Sequence, residues 1–233
     1  MEGAREAPIR LVGVAEEGAL IVYTTPYSAT TSKEKRFRVV KLLDREGYLK
    51  QDPVLKLPED ELLVTRIGTS GISVMPLPFG RESIIRLGPK DELYSGWNET
   101  IDITISALDE TTPRSIQHQH QPVPVVKNDM DAILAAISSE RRRQRIIDAD
   151  LHETKPAYET FVVDDQGRVW VKVSMSGVSS TAQWLIFGSE GEVVGETVLP
   201  ANVKLEVVKS GRAYGIEIDE RGAQYVVTYK ILD

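Results

Sequence analysis

Hydrophobic residues along this chain fall in short β-branched and aromatic runs, each closed by an acidic or glycine-containing cluster. Ile9-Arg10-Leu11-Val12-Gly13-Val14 leads through Glu16-Glu17-Gly18 to Ala19-Leu20-Ile21-Val22-Tyr23. Phe37-Arg38-Val39-Val40-Lys41-Leu42-Leu43 closes on Asp44-Arg45-Glu46-Gly47, and an outer strand is expected over 48–57. The same grammar returns at Ser83-Ile84-Ile85-Arg86-Leu87 before Gly88-Pro89-Lys90-Asp91, and at Thr160-Phe161-Val162-Val163 before Asp164-Asp165-Gln166-Gly167. It returns again at Trp184-Leu185-Ile186-Phe187 before Gly188-Ser189-Glu190-Gly191, and at Leu205-Glu206-Val207-Val208 before Lys209-Ser210-Gly211. Runs of this kind bounded by turn residues predict antiparallel hairpins.

The hairpins share a unit: an apolar strand, an acidic or glycine turn, then a strand carrying a large residue soon after the turn. That residue is Ile21, Tyr94, Trp170 and Tyr214 in the four copies. A meander repeated at a coarse period predicts stacked units, because one such sheet cannot bury both faces alone. The expected fold is all-β, a β-propeller of four-stranded antiparallel blades, with about four blades present in one domain over 1–233. One segment breaks the pattern. Residues 128–149 keep a helical period through Met130, Ile133, Leu134, Ile137 and Ile146, with Asn128 as N-cap. They predict a single helix inserted between blades, behind the stiff connector Pro122-Val123-Pro124.

Three stretches resemble bacterial six-bladed propellers related to the NHL-repeat family, in their C-terminal part. They are Val74-Met75-Pro76-Leu77-Pro78-Phe79-Gly80-Arg81, the run 162–171, and Trp184-Leu185-Ile186-Phe187 continuing to Val198-Leu199-Pro200. The resemblance is structural and covers almost the whole chain. Six blades of about 40 to 50 residues each need more chain than 233 residues supply. The chain therefore either closes as a four-bladed ring or contributes four blades to a larger one, and an incomplete ring is expected to self-associate. The resemblance also implies an extracytoplasmic location, although 1–10 is charged and has no signal-peptide core.

Charge and composition narrow the partners. A formal net charge of −7 argues against a nucleic-acid module, which shows a basic face. There is no cysteine, which excludes disulfides, thiolate metal sites and a cysteine nucleophile. No apolar run approaches the roughly 20 residues of a membrane span. No Gly-x-Ser-x-Gly, His-Glu-x-x-His, phosphate loop or dinucleotide fingerprint is present.

Each remaining candidate carries a plain alternative. His118 and His120 alternate and could begin a metal site, but a third ligand is needed and the only other histidine is His152, so the reading taken is a polar strand edge before the proline connector, with no metal. Asp164 and Asp165, with Asp109 and Glu110, could be paired carboxylates, or they could serve the turns they sit in. Ser32-Lys33-Glu34-Lys35 matches Ser-x-x-Lys without its companion motifs. Arg141, Arg142, Arg143 and Arg145 form a basic cluster placed late in the expected helix, suited to an anionic partner or to a solvated face. Trp97, Trp170 and Trp184 suggest carbohydrate stacking, but Trp170 reads as a packing residue, and Trp97, beside Gly96 and Asn98, is the aromatic best placed for a ligand. Asn98-Glu99-Thr100 is also a glycosylation sequon.

Propellers present ligands on loops at the channel mouth, so 24–35, 96–100 and 174–182 are the candidate loops. The expected function is a non-catalytic scaffold recognising a protein, peptide or glycan, with Trp97, Asn98, Arg141 and Arg142 as ligand-binding residues and no cofactor. The alternative is a calcium-dependent lactonase- or esterase-like hydrolase, which needs several carboxylate, amide or imidazole side chains converging in one channel.

Overall fold

The hairpins assemble as meanders in which each strand pairs with the next. The computed structural model describes residues 7–24, 36–68, 71–108 and 112–232. The first blade is β1 (Ala7–Ala15), β2 (Gly18–Thr24), β3 (Phe37–Asp44) and β4 (Leu55–Pro58). A separate hairpin, β5 (Leu62–Ile67) and β6 (Gly71–Pro76), lies in the crossover to the second blade. That blade is β7 (Ser83–Leu87), β8 (Leu93–Trp97), β9 (Ile101–Ser106) and β10 (Arg114–His118). Two helices, α1 (Lys127–Ala135) and α2 (Glu140–Ile147), occupy the next crossover. The third blade is β11 (Tyr158–Val163), β12 (Val169–Val173), β13 (Thr181–Phe187) and β14 (Val193–Pro200). The fourth shows three strands among the described residues: β15 (Val203–Lys209), β16 (Arg212–Ile218) and β17 (Gln224–Lys230). The chain is thus an all-β, four-bladed propeller with β1, β7, β11 and β15 innermost. β1 packs on β7, β7 on β11, and β11 on β15. No helix among the described residues is long and apolar enough to cross a membrane.

One turn is reused. Asp44, Asp164, Gly188 and Asp219 each accept, on the backbone carbonyl, a hydrogen bond from a glycine three residues on. Those glycines, Gly47, Gly167, Gly191 and Gly222, have φ between 79° and 88°. In each case the first residue's N–H donates to the carbonyl four residues on, closing a three-residue hairpin loop with a left-handed last residue. Where Asp leads, its carboxylate also accepts the backbone N–H of the residue that closes the loop: Tyr48, Arg168 and Ala223. The acidic and glycine clusters of the sequence are therefore turn chemistry.

Counted from the residue that closes each first hairpin, the repeated large position is Leu20, Tyr94, Trp170 and Tyr214. In the first blade it is Leu20, one residue before Ile21, because only two residues make the β1–β2 turn. Leu20 packs toward Ile85 and Leu93 of the second blade. Tyr94 packs with Phe161 and Phe187 of the third. Trp170 packs with Leu205 and Ala213 of the fourth. All three are under 4% exposed, and full burial of a side chain this large contributes about 1.5–3 kcal/mol or more. Tyr214 holds the same position but is only half-buried. Among the described residues no buried apolar cluster joins the fourth blade to the first. Leu11 and Val14 on β1, and Val207 and Val226 on the facing side of the fourth blade, are exposed.

The predicted single helix is two. α1 ends at Ala135, and Ile137, Ser138 and Ser139 are non-helical before α2 starts. Serine competes for backbone hydrogen bonds and favours a helix start over a helix interior. Arg143 Nε donates to the Ile137 carbonyl at 2.6 Å, satisfying a group left free by the break. At the start of α1, Asp129 Oδ2 accepts the Val126 N–H at 3.0 Å, so the helix begins one residue before Asn128.

Strand alternation gives the molecule two unlike faces. The turns β1–β2, β3–β4, β7–β8, β11–β12, β13–β14 and β15–β16 lie on one face. The blade-to-blade crossovers lie on the other, with the β5–β6 hairpin and both helices. Polar clasps tie neighbouring blades on the turn face: Glu16 N–H to Asp91 Oδ2 (2.6 Å), Arg114 Nη1 to the Ser189 carbonyl (3.0 Å), and Ser210 N–H to Asp165 Oδ2 (2.8 Å). On the crossover face, α2 reaches the hairpin through Arg145 Nη1 to Ser73 Oγ (3.0 Å), and His152 Nε2 lies 2.6 Å from Glu61 Oε2.

Candidate functional site

The innermost strands β1, β7 and β11 bring charged residues to the crossover-face mouth of the channel. A cavity of about 300 Å³ there is lined by Arg10, Arg38, Asp60, Glu82, Arg86, Glu159 and Thr160, among others. The local reason is the pleat. Ile85 points into the first seam, so Arg86, its neighbour on β7, cannot share that packing face. Arg86 Nη2 donates to Thr160 Oγ1 at 2.8 Å and Nη1 to the Ile85 carbonyl at 2.8 Å, and the guanidinium sits 5.7 Å from the Phe161 ring centre. Its burial, then Arg10 nearby, lower its pKa, while Glu206 and Glu82 act in the opposite direction.

The carboxylates are less evenly served. Asp60 accepts Arg38 Nη2 at 2.5 Å and the Ser83 N–H at 3.2 Å, yet burial raises its pKa above the ordinary 3.8. Glu82 stands beside it, and its pKa is raised from 4.5 by burial first and by Asp60 second, against the pull of Arg38, Arg10 and Arg86. Glu59 accepts Arg38 Nε at 3.0 Å and is also bonded by Thr24 Oγ1. Glu159 pairs with Lys172. The mouth is a polar, charge-alternating site in which Glu82 has the fewest fixed partners.

Several hydroxyl and imidazole groups already have partners. Ser83 Oγ donates to the Pro58 carbonyl at 2.9 Å, and Thr160 Oγ1 faces Arg86. His118 lies edge-on to Phe187 with ring centres 5.4 Å apart, and His152 faces Glu61. Among the described residues no group of three His, Asp or Glu side chains converges as a metal site.

Of the residues singled out by sequence, Trp97 ends β8 and is half-buried. Asn98 is 1% exposed: its Oδ1 accepts the Glu82 N–H at 2.8 Å, and its carbonyl accepts the Ala157 N–H at 2.8 Å. It latches the starts of β7 and β11 beside the mouth, and its buried amide is closed to glycosylation. Arg141 and Arg142 are exposed, but in the first turn of α2 rather than late in a longer helix. That turn carries positive partial charge from unpaired N–H groups, so the macrodipole no longer accounts for them. His118 ends β10 and His120 lies beyond it; both line a second cavity, and burial, then His118, lower the His120 pKa.

Asp164 is 1% exposed and structural, accepting Gln166 N–H, Arg168 N–H, Arg168 Nε and Trp170 Nε1. Asp109, Glu110, Ser32, Lys35 and most of the loop 24–35 lie outside the described residues. Sequence reasoning missed Arg10, Arg38, Asp60, Glu82 and Arg86. The available signal was a charged residue interrupting an innermost strand, as Arg86 interrupts Ser83–Leu87. Compared with known proteins, the chain matches no family model, no curated protein and no solved structure.

Proposed function

We propose that this chain is a non-catalytic recognition scaffold that holds a polar peptide or glycan group at the crossover-face mouth of the channel. The observation that carries this reading is the juxtaposition of Arg86 with the Asp60–Glu82 pair. Pre-placed donors and acceptors sit there in a partly desolvated cleft, where each hydrogen bond is stronger than in water. The calcium-dependent hydrolase remains the rival. It is less supported because Asp60 and Glu159 are already paired with cations and, among the described residues, no hydroxyl is hydrogen-bonded to an imidazole.

We also infer kinship with six-bladed, NHL-like bacterial propellers, and a ring completed by further blades. The uncovered position of Tyr214 supports this, since its counterparts Tyr94 and Trp170 are sealed by a following blade.

The test is a peptide and glycan array probed with the wild-type chain, Glu82→Gln and Arg86→Lys, after each variant's melting temperature has been checked. A ligand retained by wild type and weakened at least about tenfold by either variant supports the scaffold; tenfold corresponds to about 1.4 kcal/mol. No array ligand, together with calcium-stimulated hydrolysis of lactones or esters, would replace it with the rival.

A further inference from the structure

Three charged side chains on the wall of the channel mouth have no oppositely charged group bonded to them among the described residues. Arg86 gives Nη1 to the Ile85 carbonyl and Nη2 to Thr160 Oγ1, both uncharged, and its Nε makes no hydrogen bond among the described residues. Arg10 makes no hydrogen bond or ion pair among them either. It stands opposite Val22, which is 1% exposed in the seam between the first two blades. Residues opposite one another on paired strands share a face, so Arg10 stands on the side of β1 that meets the second blade. Glu82 donates its backbone N–H to Asn98 Oδ1 at 2.8 Å, while its carboxylate is unbonded among the described residues. All three remain open to solvent: Arg10 is exposed, and Glu82 and Arg86 are half-buried.

These three groups also act on one another. Burial first and Arg10 second lower the Arg86 pKa, and both Arg10 and Arg86 pull on Glu82 against the burial that raises it. Charges couple in this way only when they are near. The cavity they line is about 300 Å³, at the small end of ligand sites, so its walls face one another across the width of one small molecule. The other charges of the wall are closed in pairs, Asp60 on Arg38 and Glu159 on Lys172. What is left is two guanidiniums beside one carboxylate. Cations held together away from bulk water favour an anion between them, and the guanidinium fork suits a carboxylate. A simple anion would leave Glu82 facing like charge, and a simple cation would leave Arg10 and Arg86 uncompensated. A ligand carrying both charges satisfies all three.

We propose that the mouth binds a free amino acid as its zwitterion, with the carboxylate toward Arg86 and Arg10 and the ammonium toward Glu82. This assignment rests on the reading of the mouth as a recognition site and names the class of its ligand.

The experiment is calorimetric titration at pH 7 with alanine, leucine, phenylalanine and 4-aminobutyrate, each beside its carboxamide and its N-acetyl derivative. Saturable binding is expected with at least one free amino acid, and either cap is expected to weaken it about tenfold or more. Arg10→Gln is expected to weaken the free amino acid about tenfold with no further loss for the carboxamide. Glu82→Gln is expected to do the same with no further loss for the N-acetyl derivative. Neither side chain is bonded within the described fold, so both variants are expected to fold, checked by melting temperature. No binding of any free amino acid overturns the proposal, as do capped forms that bind as tightly as the parent or affinity unchanged in both variants. The peptide and glycan array separates the two possible failures. An array ligand that still depends on Arg86 leaves the scaffold standing and this assignment fallen, whereas an empty array removes both.

Discussion

Asp164 shows how one buried carboxylate can serve both a turn and a seam. It closes the β11–β12 loop through Gln166 and Arg168, and it anchors Trp170, whose ring packs toward the fourth blade. Replacing Asp164 by Ala removes charge-assisted bonds and strands the indole N–H in the interior. The expected loss is about 3 kcal/mol, read from urea unfolding midpoints at unchanged slope. A loss under about 1 kcal/mol would show that the loop does not need its carboxylate. Glu82 behaves oppositely, because its environment disfavours the charged form. The folded protein binds protons at Asp60 and Glu82 more readily than the unfolded chain, so their ionisation opposes folding. Their contribution to stability is fully present below the ordinary values of 3.8 and 4.5 and is lost as pH rises through the raised ones. Glu82→Gln is therefore expected to raise the melting temperature near pH 7 and to flatten its dependence between pH 4 and 7, checked by calorimetry across that range. An unchanged or steeper dependence would contradict this account.

At the scale of elements, the hairpins were readable because their signals are local. The turn residues and the two-residue alternation of Phe161, Val169 and Val171 both lie within a few positions of the bonds they make. The β5–β6 hairpin escaped notice although Leu62-Leu63-Val64-Thr65 and Gly71-Ile72-Ser73-Val74 carry ordinary strand composition. Residues 74–81 entered the sequence reading only as a stretch carrying the family resemblance, so their pairing with 62–67 was not drawn. The helical stripe from Met130 to Ile146 was legible as a period but not as a break, since Ser138 and Ser139 interrupt the backbone without interrupting the apolar face. The channel mouth was hidden for another reason. Arg38, Asp60, Glu82 and Arg86 are brought together from a third strand, a crossover and an innermost strand, a convergence that no local spacing encodes. Ile21 and Leu20 differ by one residue, and in a strand that single step decides which seam a side chain enters.

For the whole molecule, burial is unequal around the ring. The second and third blades are packed on both faces, while the first and fourth each keep one face without a buried partner among the described residues. Repeat proteins gain stability from neighbour contacts, so local opening should follow position in the array. Amide exchange under native conditions is expected to be slowest in β8, β9 and β12 and fastest in β1 and β17. Equal protection across all four blades would mean that the fourth seam is as tight as the others.

The division of labour between the two faces has a practical corollary. Insertions, mouth and second cavity gather on the crossover side, and the described part of the opposite side includes short loops whose tips, such as Glu46 and Glu190, are exposed. A dye, bead or surface linker attached at either tip would hold every molecule in a layer with its recognition side outward.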